Sequence, residues 1–216
     1  MKRDDLFKTE FGDFVIKSKL GRGKSGDSYL AYFQNEKYVI KVMHDENVSY
    51  YKWNQSKLRD EVSSYKTLSK LKINIPKLHY VDYKNNYLIK DFINGKVASQ
   101  IIAEGCLLEN TIKDLFALSN HLQKHKLNID YFPNNFVISN EKLFYIDYEL
   151  NAYDEKWNLE NWGIYYWLNT DGFSNFLKTN DAKFINADIE KGIPIKEPFR
   201  DKVKSLIQKY SENWNG

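Results

Sequence analysis

Alternating apolar and polar positions run through the first ninety residues and predict β-strands there. The predicted strands cover residues 14–20, 28–33, 38–43, 78–83 and 87–92. Polar turns separate neighbouring strands, at Asn35-Glu36 and over residues 84–86. Between the third and fourth strands the period changes to a helical one, over about residues 55–71.

The pattern beyond residue 93 is mainly helical. One apolar stripe at helical spacing ends near Lys126 and consists of Leu108, Ile112, Leu115, Phe116 and Leu122. Two short apolar runs, 136–138 and 143–146, flank a polar tetrapeptide and predict a hairpin. A last helix, over residues 197–210, is predicted to turn Val203, Leu206, Ile207 and Tyr210 inward. The patterns predict an α+β fold, with a strand-rich part over residues 1–93 that has one main helix, and a compact, mainly helical part over residues 94–216.

Composition narrows the class of protein. The chain has 216 residues, of which 42% are hydrophobic, so it can bury a core. Its formal net charge of +3 does not suggest a nucleic-acid partner. The single cysteine, Cys106, excludes an intrachain disulfide and favours a reducing compartment. No apolar signal core or membrane-length run is present in the sequence, so we expect a soluble, cytoplasmic protein without membrane contact.

A glycine-rich turn follows the first long strand and contains Gly21, Gly23, Lys24, Ser25 and Gly26. A Walker loop would need a glycine five residues before Gly23, where Ser18 stands. A dinucleotide fingerprint would need a following helix, but the next residues favour a strand. The turn therefore lies between two antiparallel strands, where it is either an ordinary hairpin turn or a loop whose backbone N–H groups bind phosphates.

Lys41 lies in the third strand, and alone it would be read as a lysine on a solvent-facing position. The helix that follows changes this interpretation, because Glu61 falls on the same face as the apolar positions Leu58, Val62, Tyr65 and Leu68. A carboxylate among buried apolar neighbours is costly unless a cation meets it. Lys41 is the natural candidate for that cation.

Three polar side chains surround the predicted hairpin. Asp130 and Asn135 lie in the loop before it, and Asp147 follows its second strand. Two carboxylates and an amide give an oxygen-rich site of the kind that Mg²⁺ prefers, and phosphoryl transfer needs a carboxylate to orient the attacking hydroxyl.

The segment from Asp130 through Pro133 and Asn135 to Ile146-Asp147 resembles the catalytic loop and metal-binding segment of the protein-kinase-like superfamily. It is most similar to the aminoglycoside phosphotransferase and choline kinase branch, whose loop commonly reads H-G-D-L-H-P-G-N. The chain departs from that pattern at Asn128, Tyr131, Phe132 and Asn134. The run I-D-Y-E is similar to the I-D-F-E of choline kinases, and no A-P-E segment closes an activation loop.

The resemblance implies a two-lobed kinase-like fold and a role for each polar position. Asp130 would be the catalytic base, Asn135 and Asp147 would hold Mg²⁺, and Lys41, held by Glu61, would bind the phosphates. The cofactor would be ATP, or GTP, and the glycine turn would cover its phosphates. The backbone at Asp91, Phe92 and Ile93 would form the hinge that binds the adenine.

The implied activity is transfer of the γ-phosphoryl group to a hydroxyl of a small molecule. A protein serine/threonine acceptor stays open because the second lobe is small, and so does a nucleotide-binding pseudokinase that acts as a regulatory module. The family usually has an aspartate where Asn158 stands, which leaves open how the loop is anchored.

Several aromatic and histidine residues allow further interpretations. An aromatic box for a quaternary ammonium group would be formed by Trp157, Trp162, Tyr165, Tyr166 and Trp167, although their helical spacing favours a core. His121 and His125 are spaced like zinc ligands, but they lack the glutamate of an H-E-x-x-H motif, so we expect no metal site besides the magnesium site.

Overall fold

The computed structural model describes residues 1–23, 25–44 and 57–211. Residue contacts divide the chain into two compact units, Met1–Ile93 and Asn94–Gly216. Helices and strands occur in both units, so the fold is of the mixed α+β class. Lys24 and the first two positions of the predicted helix, residues 55 and 56, lie outside the described residues.

The first unit is built on an antiparallel sheet. Its elements are β1 (Leu6–Lys8), β2 (Asp13–Arg22), β3 (Gly26–Phe33), β4 (Glu36–Met43), α1 (Lys57–Lys70), β5 (Leu78–Asp82) and β6 (Tyr87–Asp91). The sheet order is β1-β2-β3-β4-β6-β5. β4 therefore pairs with β6, although α1 and β5 lie between them in the sequence. The five strands predicted from the alternating pattern and the helix between them are confirmed, within about two residues at each described end.

A buried apolar cluster fixes the register of this sheet. Its fully or nearly fully buried members are Phe14, Ile16, Tyr29, Ala31, Ile40, Tyr87 and Ile89. Tyr29 is paired directly with Ile40 across β3 and β4, and Ile40 with Ile89 across β4 and β6. Because a slip of one residue would turn every side chain of a strand to the other face, this cluster sets which face of β4 carries Lys41.

The second unit combines short strands with helices. Its regular elements are β7 (Lys96–Val97), α2 (Ala98–Ala103), α3 (Glu109–Lys124), β8 (Leu127–Asn128), β9 (Phe136–Ser139), β10 (Lys142–Tyr145), β11 (Asn151–Ala152), α4 (Ile164–Leu168), α5 (Thr170–Thr179), β12 (Asn186–Asp188), β13 (Ile193–Pro194) and α6 (Arg200–Ser211). The predicted hairpin is β9–β10, in which Ser139 pairs with Lys142. β7 pairs with β9, and β8 with β11.

One predicted apolar stripe is corrected at its start. Leu108 is 55% exposed and is the residue before α3, whose first residue is Glu109. Ile112, Leu115, Phe116 and Leu122 are buried as expected. Leu108 has the helical spacing of the other four residues, but it lies before the first residue of α3. A residue that precedes the first turn is not held on the buried face of the helix.

The last fifty residues add α5, the β12–β13 hairpin and α6 to the second unit. Val203, Leu206 and Tyr210 of α6 are buried as predicted, and Ile207 is partly buried. Among the helices of the described residues, none combines the length and apolar character needed to cross a membrane.

Candidate active site

The glycine-rich turn connects β2 and β3. Gly21 pairs with Ser28 and Arg22 with Asp27, and beyond these pairs the N–H of Gly23 donates to the carbonyl oxygen of Gly26 over 2.9 Å. The predicted turn between two antiparallel strands is therefore present in the first unit.

The three glycines of the turn differ in their surroundings. A Cβ atom on Gly26 would lie 2.3 Å from the carbonyl oxygen of Val42 in β4, so only glycine fits there. A Cβ on Gly21 would meet nothing within 4 Å, and one on Gly23 would have its nearest neighbour, the carbonyl oxygen of Gly26, at 3.8 Å. Within the described residues, glycine is therefore a requirement of packing at position 26 and not at positions 21 and 23.

Lys41 and Glu61 form a buried ion pair in the first unit. Lys41 is 5% exposed and Glu61 is 4% exposed, and the ammonium group donates to Oε1 of the carboxylate. The contact predicted from the helical position of Glu61 is present. A charge this deeply buried is tolerated because the opposite charge contacts it, and removal of one partner of such a pair typically costs about 3–5 kcal/mol.

Ser25 joins this pair from the glycine turn. Its hydroxyl, on a residue that is 8% exposed, donates to the same Oε1 atom of Glu61 over 2.7 Å. The other carboxylate oxygen, Oε2, is buried and accepts no hydrogen bond from the described residues. Sequence reasoning assigned Ser25 to the cofactor. Its contact with Glu61 spans 36 residues and had no signal in the pattern.

The predicted hinge residues follow the end of β6. The Asp91 carboxylate accepts from the backbone N–H of Lys77 over 3.3 Å and lies 2.6 Å from Nε2 of His79. The ammonium of Lys37 lies 5.6 Å from the centre of the Phe92 ring. The side chains of Asp91 and Phe92 thus contact other residues of the first unit. The binding of adenine by the backbone at Asp91, Phe92 and Ile93 stays a prediction.

The loop that carries Asp130 is braced by its own hydrogen bonds. Oδ1 of Asp130 accepts from the N–H of Phe132 over 3.0 Å, and Nδ2 of Asn135 donates to the Asp130 carbonyl oxygen over 3.3 Å. A single 3₁₀ turn, Pro133–Asn135, ends the loop, with Pro133 at its first position where a missing N–H has no cost. The loop therefore holds Asp130 and Asn135 in fixed positions relative to each other.

Asp147 is attached to the same loop through the backbone. The N–H of Ile146 donates to the carbonyl oxygen of Asn135 over 2.8 Å, which places Asp147 one residue beyond a direct contact with Asn135. Oδ1 of Asp147 accepts from the N–H of Tyr148 over 2.9 Å. The structure thus brings together Asp130, Asn135 and Asp147 within the second unit.

Tyr145 connects the loop to the segment after Asp147. Its phenol donates to the carbonyl oxygen of Glu149 over 2.9 Å and accepts from the backbone N–H of Asp130. Burial, with the negative charges of Asp147, Glu149 and Asp130 as further causes, raises the pKa of Tyr145 well above its usual value. The raised pKa favours the protonated phenol, which is the form that donates to Glu149.

The donor atoms fit a hard divalent cation. Because Nδ2 of Asn135 is used on the Asp130 carbonyl, the amide oxygen Oδ1 is the atom left for a ligand, and Asp147 supplies a carboxylate. Among the described residues no group of three or more His, Cys, Asp or Glu side chains is placed to hold a metal ion. The predicted ligands are one amide oxygen, from Asn135, and one carboxylate, from Asp147, so this set is smaller than such a group and differs from it in composition.

Three aromatic residues, Phe132, Tyr166 and Trp162, form an aromatic cluster that includes the loop. The Phe132 ring packs edge-to-face on Tyr166 at 5.1 Å, and Tyr166 packs on Trp162 at 5.1 Å. The β12–β13 hairpin is hydrogen-bonded to this aromatic cluster. Trp162 Nε1 donates to the carbonyl oxygen of Gly192 over 2.8 Å, and the Tyr166 hydroxyl donates to Oδ1 of Asn186 over 2.6 Å. The β12–β13 hairpin thus helps to position Phe132, two residues after Asp130.

A π-helical turn, Leu159–Gly163, lets α4 approach the loop closely. A Cβ on Gly163 would lie 2.4 Å from Cβ of Tyr131, so a glycine is required at this contact. Trp167 Nε1 donates to the carbonyl oxygen of Tyr131 over 2.8 Å. Turns of this kind are rare and are found frequently at functional sites.

Asn128 and Asn158, where the chain departs from the family pattern, are both buried and hydrogen-bonded. Nδ2 of Asn128 donates to the carbonyl oxygen of Trp157 over 2.9 Å. Oδ1 of Asn158 accepts from the N–H of Asn161 over 2.7 Å and so caps the π-helical turn. The two amides therefore anchor the chain that follows Asp147.

The aromatic residues considered for a quaternary ammonium box divide into two groups. Tyr165, Tyr166 and Trp167 are buried in α4, as their helical spacing indicated. Trp157 and Trp162 are partly exposed and pack edge-to-face at 5.8 Å. The His121 and His125 rings pack edge-to-face with their centres 4.9 Å apart, and Nδ1 of His125 lies 2.9 Å from the His121 carbonyl oxygen.

The glycine turn gives a first prediction. Gly26→Ala should destabilise the protein by about 1–3 kcal/mol, the usual cost of overpacking, because its Cβ meets the Val42 carbonyl. Gly21→Ala, with open space around it, should leave the free energy of unfolding within about 0.5 kcal/mol of the wild type. Urea unfolding of both variants measures this, and equal stabilities would contradict the packing assigned to Gly26.

Glu160, on the π-helical turn, gives a second prediction. Burial, and then the charge of Glu155, raises the pKa of this carboxyl above its ordinary value of 4.5. The folded state therefore favours the protonated form, and its ionisation lowers stability as the pH rises above 4.5. Glu160→Gln should melt higher than the wild type at pH 7 and at the same temperature below about pH 4. Glu190→Gln, at an exposed position, should show no difference at either pH.

Comparison of the sequence with models of known protein families and with curated proteins finds no match. The assignment of an activity therefore depends on the residues of the two units and on their contacts.

Proposed function

We propose that this chain is a phosphotransferase of the protein-kinase-like type, which transfers the γ-phosphoryl group of ATP or GTP to a hydroxyl of a small molecule. The observation that carries the proposal is the buried contact between Lys41 and Glu61 beside a glycine turn. A buried ion pair is rarely the most stable choice, because well-packed apolar residues of similar volume are often as stable or more so. We infer that Lys41 is retained in this buried position because it binds an anion, and we propose a nucleotide phosphate as that anion.

The second unit supplies the groups for the chemical step. Asp130 accepts the proton of the attacking hydroxyl and orients it. Asn135 and Asp147 would hold Mg²⁺, and the ion would supply positive charge to offset the negative charge of the phosphates. The hydrogen bonds within the loop and from Tyr145 keep these groups in place, so little reorganisation is needed when substrate binds.

The short connection after Asp147 favours a small acceptor. Only residues 148–154 separate Asp147 from the 3₁₀ turn Glu155–Trp157, and β11 within this stretch pairs with β8. A protein substrate is commonly bound along a longer segment at this position. The pairing leaves no such segment in the described part of this unit.

Asp130→Asn tests the proposed base. The variant keeps the oxygen that accepts from the N–H of Phe132, so the loop should fold normally. We expect nucleotide affinity within about threefold of the wild type and a fall in turnover of about 10²–10⁴-fold, the usual contribution of a positioned acid–base group. Turnover is measured as magnesium-dependent release or transfer of the γ-phosphate of ATP and GTP with a panel of hydroxyl acceptors. The control is Asp114→Asn, at an exposed position of α3.

Near-full turnover in Asp130→Asn would exclude Asp130 as the base. Nucleotide binding without turnover in the wild type, with every acceptor, would instead favour the pseudokinase alternative.

Asp147→Asn tests the metal site. In the wild type we expect Mg²⁺ to tighten ATP binding, and in the variant this dependence should be largely lost. Turnover should fall by about 100-fold or more, because electrostatic stabilisation of several kcal/mol is removed. A titration of a fluorescent ATP analogue with and without Mg²⁺ measures the affinity, and Asp171→Asn, at an exposed position of α5, is the control. An unchanged magnesium dependence would refute this ligand assignment.

A further inference from the structure

The two sides of the glycine turn differ in their contacts. Ser25 and Gly26 form a fixed side that contacts β4 and the residue after it, and Gly21 and Gly23 form an open side with few contacts. On the fixed side the carbonyl oxygen of Ser25 accepts from the N–H of His44 over 2.9 Å, and Gly26 lies against β4. On the open side, no described residue comes closer than 3.8 Å to the place where a Cβ of Gly21 or Gly23 would lie. Ser25 and Gly26 thus attach the turn to β4 and to His44, the residue after it.

Ser25 is also attached to α1 through its side chain. Its hydroxyl and the ammonium of Lys41 donate to one and the same oxygen, Oε1 of Glu61. Glu61 is therefore shared between the turn and the lysine, while its Oε2 accepts no hydrogen bond from the described residues. Any movement of the turn that breaks the Ser25 bond changes the charge that Lys41 experiences.

We propose that Ser25 is a positioning residue for Lys41, which acts through Glu61 and not by contact with the nucleotide. This inference rests on the proposed function, because it assigns to Ser25 a role in the binding of the same nucleotide phosphates. The Ser25 hydroxyl draws part of the carboxylate charge of Glu61 to itself. Lys41 is then held less tightly by Glu61, so that its ammonium group can also bind a phosphate.

The effect of removing the hydroxyl follows from this arrangement. In Ser25→Ala, Oε1 of Glu61 loses the hydroxyl donor and keeps the ammonium of Lys41. The attraction between Lys41 and Glu61 is then stronger, because less of the carboxylate charge is shared and the pair is buried. Lys41 is then less available to phosphate, and the turn loses its attachment to α1. We expect the Kd for nucleotide to rise about tenfold, which is at the low end of the range for hydrogen bonds to charged groups.

The matched controls separate the hydrogen bond from packing. Ser25→Cys fills a similar space but has only a weak donor, so it should resemble Ser25→Ala. Ser18→Ala makes the same chemical change at an exposed position of β2 and should bind nucleotide like the wild type. Melting temperatures of all variants show that each is folded.

A double-mutant cycle tests whether Ser25 acts through Glu61. The Kd for ATP with Mg²⁺ is measured for the wild type, Ser25→Ala, Glu61→Gln and the double variant. If Ser25 acts through Glu61, its removal should change the Kd by less than about twofold in the Glu61→Gln background, because the carboxylate charge is already absent. If Ser25 contacts phosphate directly, the tenfold effect should remain in that background.

Each outcome decides between the two proposals. Nucleotide binding by the wild type, with an effect of Ser25→Ala that depends on Glu61, supports the inference. Binding that is unaffected by Ser25→Ala, equal binding of Ser25→Cys and the wild type, or additive effects in the cycle would overturn the inference and leave the proposed function standing. Absence of nucleotide binding by the wild type would overturn both. If Glu61→Gln does not fold, the comparison of Ser25→Cys with Ser25→Ala and Ser18→Ala still decides whether nucleotide binding needs the hydroxyl, and binding equal to the wild type in Ser25→Ala or Ser25→Cys would overturn the inference.

Discussion

The burial of Lys41 against Glu61 is the constraint on which the first unit depends. Two charges removed from water each carry a desolvation penalty of several kcal/mol, which only close contact and further hydrogen bonds can offset. The apolar cluster around Ile40 fixes the register of β4, and the helical period places Glu61 on the inner face of α1. Sheet register and helix phase must both be correct for the two charges to meet, so an error in either would leave a buried charge without its partner.

The second unit meets a different requirement, which is to hold acceptor oxygens near one another despite their mutual repulsion. It does so with backbone N–H groups, from Phe132 to Asp130 and from Tyr148 to Asp147. Hydrogen bonds to ionised oxygens are about twice as strong as those between neutral groups, which makes these local contacts effective. The buried phenol of Tyr145 joins the two segments without adding charge.

The elements of the fold could be predicted from the sequence to a large extent, because each has a local cause. The period-two pattern identified β2, β3 and β4, and the helical period placed Glu61 on the buried face of α1. The same reasoning misplaced Leu108, since periodicity does not show where the first turn of a helix begins. Helix ends depend on capping and on the tertiary contacts of the preceding loop, which are not periodic.

Two contacts of the candidate site could not be predicted from the periodicity of the sequence. The bond from Ser25 to Glu61 and the phenol of Tyr145 on the Asp130 backbone depend on distances between segments, and any hydroxyl of the chain is chemically competent for them. Their importance follows from the same physics as the pair of Lys41 and Glu61. A buried carboxylate binds whichever donor reaches it, and at Oε1 of Glu61 two donors do. The glycine turn and the lysine are consequently not independent parts of the first unit, because a single oxygen atom ties the position of one to the charge balance of the other.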